Sequence, residues 1–427
     1  MDDINITGNH AERDIVVTIL ETPSDSDTFE SIIDRLKPIS SIKSPNPMHY
    51  LAEGIGFYGR EEEVRWLSEF CLADEKVLYA VVHGIGGVGK SKLLFEYIKQ
   101  HTSAEWYMCF LTETMITSLL SFNDYSYPQN LLIAIDYASR QSDIIGKWLT
   151  KISTMDVLSN KLRVVLIERQ GQNRESMLGV FSPWLEKLYG NTTQRRQLKQ
   201  IEFGFLELKQ ITADCLGSLI NDYIIANYPD KRISFNEVEK IIEYASKGLA
   251  LDENRQSPLV VLLITDAYVS GQDFRKWNLA LLVQNYVERL TENWLVSLCD
   301  NDIALYKSLL KLLVFATAVD GFSINDEIPN MYSSDIIRLT ENQLCKRIID
   351  GATGFANEII HAIEPDIVGE FIVLNYLDHL VVHRAKLELV ESFYSRPLAF
   401  SDFIARCIDE FADMSVFESF LTILLIC

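Results

Sequence analysis

A glycine-rich segment, Gly84-Ile-Gly-Gly-Val-Gly-Lys-Ser91, constrains the fold of this chain more than any other feature of its sequence. It follows an apolar, β-branched run, Val77–Val82, and it opens a segment, Lys90–Gln100, whose apolar residues recur at helical spacing. An apolar run that is continuous rather than alternating is typical of a strand buried on both faces. The order of strand, glycine loop and helix therefore predicts a parallel sheet covered by helices.

Three further continuous apolar runs predict strands of this sheet: Trp106–Leu111, Leu131–Ile135 and Leu162–Ile167. Ile201–Leu206 is a candidate fifth strand. Strands separated by helical segments indicate a doubly wound α/β domain. After this domain the pattern becomes helical, with predicted helices at Thr212–Ala226, Asn236–Lys247, Pro258–Val269, Ile303–Val319 and Pro365–Leu387. A short β-like piece at Gly321–Ile324 suggests a small wing between them.

The glycine-rich segment matches the Walker A pattern in full and lies where that pattern requires, between a strand and a helix. Its glycines let backbone N–H groups curl around phosphates, and the helix N-terminus adds its positive dipole end. We predict that Lys90 reaches the β and γ phosphates and that Ser91 holds Mg²⁺, with ATP and GTP both possible ligands. The predicted nucleotide contacts in this loop are Gly84, Gly86, Gly87, Val88, Gly89, Lys90, Ser91 and Lys92.

Asp136 ends the apolar run Leu131–Ile135, which is the Walker B arrangement. We predict that Asp136 and Ser91 share the Mg²⁺ ion, with Asp136 binding it through water. Tyr137 follows where many hydrolytic relatives have a second acid, so a general base is not evident. Asp143 and Glu168 are possible substitutes, but each is better explained as a surface or strand-end acid, and we expect hydrolysis to be slow or absent.

Charge and cysteine content exclude several classes of protein. The formal net charge of −21 repels nucleic acid and anionic membranes at long range. The seven cysteines are scattered, which argues against a disulfide scaffold or a structural zinc site and fits a reduced compartment. The polar start MDDINITGNH is not a signal peptide, and the longest apolar runs are too short to span a bilayer. We therefore expect a soluble cytoplasmic protein.

Four features around the Walker motifs match one class of ATPase in chain order: Phe57-Tyr-Gly-Arg-Glu61, Leu162–Arg169, Gln256-Ser-Pro-Leu259, and His361 followed by Glu364-Pro-Asp-Ile-Val-Gly-Glu370. Over residues 55–380 the chain resembles the STAND class of P-loop ATPases, close to the NB-ARC type. That type occurs in apoptosome adaptors, plant disease-resistance proteins, bacterial regulators and phage-defence sensors.

The resemblance implies a role for single residues. Arg60 would lie by the adenine end or the phosphates, and Arg169 would read the γ-phosphate as the sensor-1 arginine. Pro258 would pack on the base, although Gln256 replaces the usual glycine before it. His361 would touch the β-phosphate of bound ADP. Lys90, Asp136 and Arg169 would then form the catalytic group, and ATP is favoured over GTP by the resemblance alone.

The resemblance also implies a P-loop core followed by an all-α lid and a winged-helix-like domain. The predicted units are a short N-terminal segment 1–47, a nucleotide-binding domain 48–207, a lid 208–285, a winged-helix-like domain 286–385 and the start of a helical region 386–427. Since this class senses through long C-terminal repeats, we expect a truncated form or a protein that signals through other chains.

The implied function is a nucleotide-operated signalling switch, closed with ADP and opened by ATP with Mg²⁺. Opening would permit self-assembly or binding of a protein partner, with slow ATP hydrolysis, in antiviral or stress defence. An AAA+-like ATPase acting on nucleic acid is an alternative that the net charge opposes. A non-hydrolysing nucleotide-binding interaction protein is a second alternative. A small-molecule kinase is a third, but no acceptor site is recognisable.

Overall fold

The computed structural model describes residues 28–35, 48, 52, 54–111, 113–155, 160–169, 182–247, 257–273, 277–298, 302–323, 336, 338–353, 359–412 and 414–425. A strand expected at Ile15–Leu20 lies outside these residues. The helix expected at Phe29–Leu36 is α1, Phe29–Arg35.

Five parallel strands form the sheet at the centre of the N-terminal half, in the order β2-β3-β4-β1-β5. Their bounds are β1 Val77–His83, β2 Trp106–Leu111, β3 Asn130–Ile135, β4 Leu162–Glu168 and β5 Glu202–Glu207. The predicted α/β core is confirmed. Because β4 lies between β1 and β3, with His83 opposite Glu168 and Ile135 opposite Leu166, the carboxyl ends of these three strands are neighbours.

Helices cover both faces of the sheet. One face carries α2 Glu61–Leu72 and α3 Lys90–His101, and the other carries α1, α4 Glu113–Leu119, α5 Ser142–Ser153, α6 Pro183–Tyr189 and α7 Thr192–Gln200. Alternate residues of β1 serve the two layers, since Tyr79 packs towards one and Ala80 towards the other. This double burial is the reason for the continuous apolar runs in the sequence.

Four helices follow the sheet: α8 Ala213–Asn227, α9 Phe235–Lys247, α10 Pro258–Val269 and α11 Leu279–Leu298. The apolar helix α10 is buried along most of its length and contacts the other three. Its buried Asp266 accepts a hydrogen bond from Tyr223 Oη at 2.8 Å and pairs with Arg289, so the carboxylate is compensated by partners on α8 and α11.

The C-terminal part combines helices with one short antiparallel ribbon, as expected for a winged-helix-like region. Its elements are α12 Ile303–Ala318, β6 Phe322–Ser323, α13 Gln343–Thr353, β7 Ile359–Ile360, α14 Asp366–His379, α15 His383–Phe393, α16 Pro397–Phe411 and α17 Ser415–Leu424. Strands β6 and β7 pair through Phe322 and Ile360. One continuous apolar core runs from α8 to α17, and the domain boundaries drawn from the sequence stay predictions.

The prediction of a single helix over Pro365–Leu387 is wrong. The chain forms α14 and α15 with a break at Leu380–Val382, where Leu380 and Val382 are extended and Val381 is exposed. The β-branched pair Val381 and Val382 is compatible with extended backbone, and the break lets α15 pack against α12. None of the helices described is long and apolar enough to cross a membrane.

Candidate functional site

A cavity of about 610 Å³ lies at the carboxyl ends of β1, β3 and β4. Its walls are the glycine loop, the segment Ile55–Tyr58, the start of α10, and two acidic pieces of the C-terminal part, Glu364–Ile367 and Glu410. Ligands of open α/β sheets bind at this edge, where the strands end and the loops diverge. The cavity therefore joins the sheet, the four-helix region and the C-terminal part at one place.

Gly87 and Gly89 of the loop have backbone conformations that L-residues rarely adopt, with φ of +71° and +97°. A Cβ atom at Gly87 would lie 2.8 Å from Cβ of Leu259 on α10, whereas one at Gly89 would meet nothing within 4 Å. The N–H of Leu259 also approaches the carbonyl oxygen of Gly87 at 3.4 Å. Helix α10 is thus docked directly on the phosphate loop.

The side chain of Lys90 folds back onto its own phosphate loop. Its Nζ donates to the carbonyl oxygens of Gly84 at 2.8 Å and Ile85 at 3.0 Å. Burial lowers the pKa of the Lys90 ammonium, because water no longer solvates its charge. A phosphate group in the loop would supply the anionic partner that this buried ammonium needs.

Ser91 and Asp136 are in direct contact, although the two residues belong to different βα units. The hydroxyl of Ser91 donates to Oδ2 of Asp136 at 2.6 Å, and the N–H of Tyr137 donates to Oδ1 of Asp136 at 2.9 Å. Burial raises the pKa of the Asp136 carboxyl to about 6, even though Ser91 and Lys90 favour the charged form. The two oxygen-bearing side chains predicted to hold Mg²⁺ are therefore adjacent.

This pair fits the chemistry of a magnesium ion. Mg²⁺ takes oxygen ligands and usually keeps several waters, with one or two protein side chains and the phosphates completing its shell. Within the described residues, no three His, Cys, Asp or Glu side chains gather into a metal site of their own. An ion held by Ser91 and Asp136 would consequently depend on phosphate and water oxygens as well.

Arg169 follows β4 and lines the same cavity, but acidic side chains of the C-terminal part surround it. Its Nη2 lies 3.3 Å from Asp366 and 4.0 Å from Glu370, and its Nη1 lies 3.5 Å from Glu410. Burial alone would lower the pKa of the Arg169 guanidinium, but Asp366 and Glu370 raise it above its ordinary value. Burial would likewise raise the pKa of Asp366, but Arg406 and Arg169 hold it below its usual range, so this pair is fully ionised.

Glu370 lies behind Asp366, one turn further along α14, and it is completely buried. Its Oε1 accepts a hydrogen bond from Nε of Arg406 on α16 at 2.6 Å, while its Oε2 has no hydrogen-bond partner among the described atoms. Burial raises the pKa of the Glu370 carboxyl to about 7 despite the nearby guanidinium groups. The acidic cluster around Arg169 thus contains one carboxyl that burial makes harder to ionise than an ordinary glutamate.

Glu168 also lines the cavity, but the backbone occupies both of its oxygens. Oε2 accepts from the N–H of Ser139 at 2.9 Å, and Oε1 accepts from the N–H of Arg169 at 2.7 Å. Asp143 lies on α5, is more than half exposed, pairs with Lys147 at 3.4 Å and does not line the cavity. Neither acid is placed as a free base beside the phosphate loop.

Arg60 is 4% exposed and braces the loop from behind. Its Nη2 donates to the carbonyl oxygen of Val88 at 2.9 Å, and its Nη1 donates to the carbonyl oxygen of Lys209 at 2.7 Å and to Glu63 at 2.9 Å. Although Arg60 lines the cavity, protein acceptors take up its planar fork. Its contacts indicate that it positions the phosphate loop.

The end of the cavity away from Lys90 is apolar. Leu262, Leu263 and Leu219 line it together with the segment Ile55–Tyr58, and Pro258 stands at the start of α10 where the resemblance places it. Asp222 of α8 fixes this segment, since its Oδ2 accepts from the N–H of Gly56 at 2.8 Å and from Tyr58 Oη at 2.5 Å. An apolar wall of this kind suits the base of a nucleotide. Lys92 lines the cavity as well, but its Nζ pairs with Glu96 at 2.9 Å.

Of the predicted contacts, Gly84 does not line the cavity, although its carbonyl oxygen accepts from Nζ of Lys90. His361 does not line the cavity either. It follows β7, and its Cα would lie 3.1 Å from a Cβ atom at Gly321, so it packs at the base of the small ribbon. The chain reaches the cavity three residues later, with Glu364, Pro365 and Asp366. The basic contact expected from this region is thus replaced by acidic ones.

No family model matches the chain, and no curated protein matches it. Among solved structures, the chain is similar to the Aeropyrum pernix ORC2 protein in its ADPNP and ADP complexes, at 11% identity and a TM-score of 0.37, over 78% of this chain and 99% of the other. Domain III of the Thermotoga maritima replication initiation protein DnaA matches at 12% identity and a TM-score of 0.33, over 57% and 98%. The Thermotoga maritima RuvB Holliday junction branch migration motor matches at 13% identity and a TM-score of 0.29, over 56% and 75%. Identities of 11–13% and TM-scores of 0.29–0.37 do not support an inference about function.

The strand order and the glycine loop between β1 and α3 decide the fold. It is that of a P-loop NTPase. In this fold the sequence-predicted residues Lys90, Ser91, Asp136 and Arg169 meet in one cavity. Glu410 was missed by sequence reasoning, because it lies 241 positions from its partner Arg169 and belongs to no motif.

Proposed function

We propose that this protein is a nucleotide-dependent signalling switch that binds ATP and ADP with Mg²⁺ and changes its conformation or assembly with the nucleotide. Lys90 and the loop would hold the phosphates, Ser91 and Asp136 would hold Mg²⁺, and the apolar end near Pro258 would hold the base. Mg²⁺ would neutralise part of the phosphate charge. The STAND class and a role in antiviral or stress defence are proposed on the resemblance alone, and a cytoplasmic location is proposed from the scattered cysteines.

One observation carries the proposal: the arginine at the phosphate end is ion-paired to the C-terminal part. Arg169 contacts Asp366 of α14 at 3.3 Å and Glu410 of α16 at 3.5 Å. A third phosphate and these carboxylates would compete for the same guanidinium, because both are anionic acceptors suited to its fork. Binding of ATP would therefore be coupled to release of α14 and α16 from the sheet.

The charges around the cavity favour a diphosphate in the closed arrangement. Glu364, Asp366 and Glu410 line the same cavity as Arg169, and Asp366 and Glu410 contact its guanidinium. A γ-phosphate placed beside ionised carboxylates would be repelled, so ATP should prefer a conformation in which they have moved away. Such a switch is driven by the difference in nucleotide affinity between its two conformations. Each tenfold ratio of affinities shifts the conformational equilibrium by about 1.4 kcal/mol.

Slow hydrolysis follows from the residues next to Asp136. Tyr137 occupies the position of the usual second acid, and the oxygens of Glu168 are engaged by backbone N–H groups. No carboxylate with a free oxygen stands beside the Mg²⁺ pair on the sheet side to orient an attacking water, as far as the described residues show. We expect the nucleotide state to persist long enough to carry a signal.

The test combines binding with shape. Melting temperature and small-angle X-ray scattering are measured with Mg²⁺ and either ADP or the slowly hydrolysed analogue ATPγS, with molar mass measured in parallel. We expect both nucleotides to raise the melting temperature and ATPγS alone to enlarge the particle or its mass. Lys90→Ala should abolish both effects.

Two outcomes would defeat the proposal. Binding without any difference in shape or mass between ADP and ATPγS would favour a non-switching interaction protein. Tight binding of a labelled DNA duplex at about 0.15 M salt would favour an ATPase acting on nucleic acid, against the expectation from the net charge of −21.

A further inference from the structure

Tyr137 stands between the predicted Mg²⁺ ligand and the C-terminal part. Its backbone N–H donates to Oδ1 of Asp136 at 2.9 Å, and its hydroxyl donates to Oδ2 of Asp366 at the start of α14. The same oxygen of Asp366 is the one that pairs with Arg169. One residue thus links the Mg²⁺ pair, through its backbone, to the acidic cluster, through its hydroxyl.

The backbone of Tyr137 is in the left-handed region, with φ 51° and ψ 46°. A bulky residue adopts this conformation rarely, and it persists where surrounding contacts over-determine it. Here the contacts at the two ends of the residue, to Asp136 and to Asp366, supply that constraint. Loss of either contact should let the turn relax.

Arg140 packs on the aromatic ring of Tyr137 and also contacts the C-terminal part. The guanidinium of Arg140 lies 4.1 Å from the centre of the Tyr137 ring. Arg140 also pairs with Asp320 at the turn before β6 and lies 3.9 Å from Asp402 on α16. Tyr137 and Arg140 therefore tie the loop after β3 to three separate elements of the C-terminal part.

We propose that Tyr137 is a positioning residue that transmits the Mg²⁺ occupancy of Asp136 to α14. This inference rests on the switch function proposed above. When Asp136 turns from the Tyr137 N–H towards Mg²⁺-bound ATP, the left-handed turn loses one of its two supports. The hydroxyl then withdraws from Asp366, and α14 loses a contact with the sheet. Tyr137 follows Asp136 where many hydrolytic relatives have a second acid, and here it couples the Mg²⁺ site to α14.

The test uses Tyr137→Phe, which removes the hydroxyl and keeps the ring under Arg140. Tyr127→Phe is a matched control, since the hydroxyl of Tyr127 donates to Asp34 at 2.9 Å and Tyr127 does not line the cavity. Hydrogen–deuterium exchange of α14 is measured with ATPγS, in Mg²⁺ and in EDTA. Release of a fluorescent ADP analogue is followed under the same two conditions.

In the wild type and in Tyr127→Phe, we expect Mg²⁺ to increase the exchange of α14. In Tyr137→Phe the exchange should be high in both conditions, and ADP release in EDTA should be about tenfold faster, as loss of a hydrogen bond to a charged group implies. Arg140→Met should act in the same direction more weakly. It serves as the second variant if Tyr137→Phe does not fold.

The outcomes separate the inference from the function on which it rests. A wild type that distinguishes ADP from ATPγS, with a Tyr137→Phe variant that keeps the full Mg²⁺ dependence of α14, overturns the inference alone. A wild type in which neither nucleotide nor Mg²⁺ alters α14 overturns the proposed switch and the inference with it.

Discussion

The substitution Glu410→Gln tests whether the Glu410 carboxylate and the γ-phosphate of ATP compete for Arg169. Glu410→Gln keeps the size and one oxygen acceptor of the side chain but removes its charge. It should release part of the hold on Arg169 and remove a negative charge from the wall of the cavity. Asp366 still pairs with Arg169 at 3.3 Å, so the guanidinium does not lose its last partner and the fold should survive.

The size of the effect follows from the contact. The charged atoms of Arg169 and Glu410 are 3.5 Å apart, and the two side chains are 21% and 23% exposed. At an effective dielectric constant of about 20, the Coulomb attraction at this separation is about 5 kcal/mol. Desolvation of both ions offsets most of it, because exposed pairs are worth about 0.2–1 kcal/mol while breaking a buried pair costs about 3–5 kcal/mol. A partly exposed pair should contribute about 1.5 kcal/mol, or roughly tenfold in affinity.

The assay is displacement of a fluorescent ADP analogue by ADP and by ATPγS, in the presence of Mg²⁺. We expect Glu410→Gln to tighten ATPγS about tenfold relative to ADP, since only ATPγS carries the phosphate that competes with Glu410. Glu388→Gln is the matched control, because Glu388 is half exposed and pairs with Arg384 at 2.7 Å on α15, away from the cavity.

The reasoning would be refuted by an unchanged ratio of the ATPγS and ADP affinities in Glu410→Gln. Equal tightening of both nucleotides would also contradict it, because a general reduction of negative charge near the cavity would then account for the result. Equal effects of Glu410→Gln and Glu388→Gln would show that the position of the carboxylate is irrelevant.

Three further predictions concern the loop and the acidic cluster. Burial raises the pKa of Glu370 to about 7 in the folded protein. The protonated side chain therefore stabilises the fold below the ordinary carboxyl pKa, and this contribution is lost as the pH rises through about 7. Glu370→Gln should make the melting temperature depend less on pH between about pH 5 and 8. Gly87→Ala should weaken nucleotide binding more than Gly89→Ala in a direct titration. Both substitutions strain a left-handed residue, but only Gly87→Ala places a Cβ atom 2.8 Å from Cβ of Leu259. Equal losses of affinity would exclude a role for the docking of α10 on the loop. Ser91→Ala should reduce the Mg²⁺ dependence of ADP affinity while leaving Mg²⁺-free binding near the wild-type value, and a retained Mg²⁺ effect would place the ion elsewhere.

Local patterns predicted the sheet and its phosphate loop because each pattern reports burial or backbone freedom at neighbouring residues. Leu131–Ile135 and Leu162–Ile167 are apolar throughout because helices cover both of their faces, and both runs are strands. The pairing of Ser91 with Asp136 was predictable as well, since parallel strands deliver their carboxyl ends to one edge.

Patterns of this kind fail where the backbone turns without a glycine or a proline. The break between α14 and α15 at Leu380–Val382 is an example, because its residues are all apolar. His361 shows a different limit, since a motif resemblance places a residue in the chain but does not say how far the chain must run to reach the cavity. Glu364, three positions after His361, is the first residue of this segment to line the cavity.

The sequence by itself determined that this chain has a phosphate loop on a parallel sheet, with Lys90, Ser91, Asp136 and Arg169 as candidates for one site. Only the tertiary structure decided what faces that site. The hydroxyl of Tyr137 meets Asp366, and Arg169 meets Glu410, across 229 and 241 positions of the chain. The physical reason is that periodicity and motifs describe neighbours along the chain. Partners of an ionised side chain are chosen by the packing of whole helices against the sheet, through the apolar core that holds α14 and α16 in place.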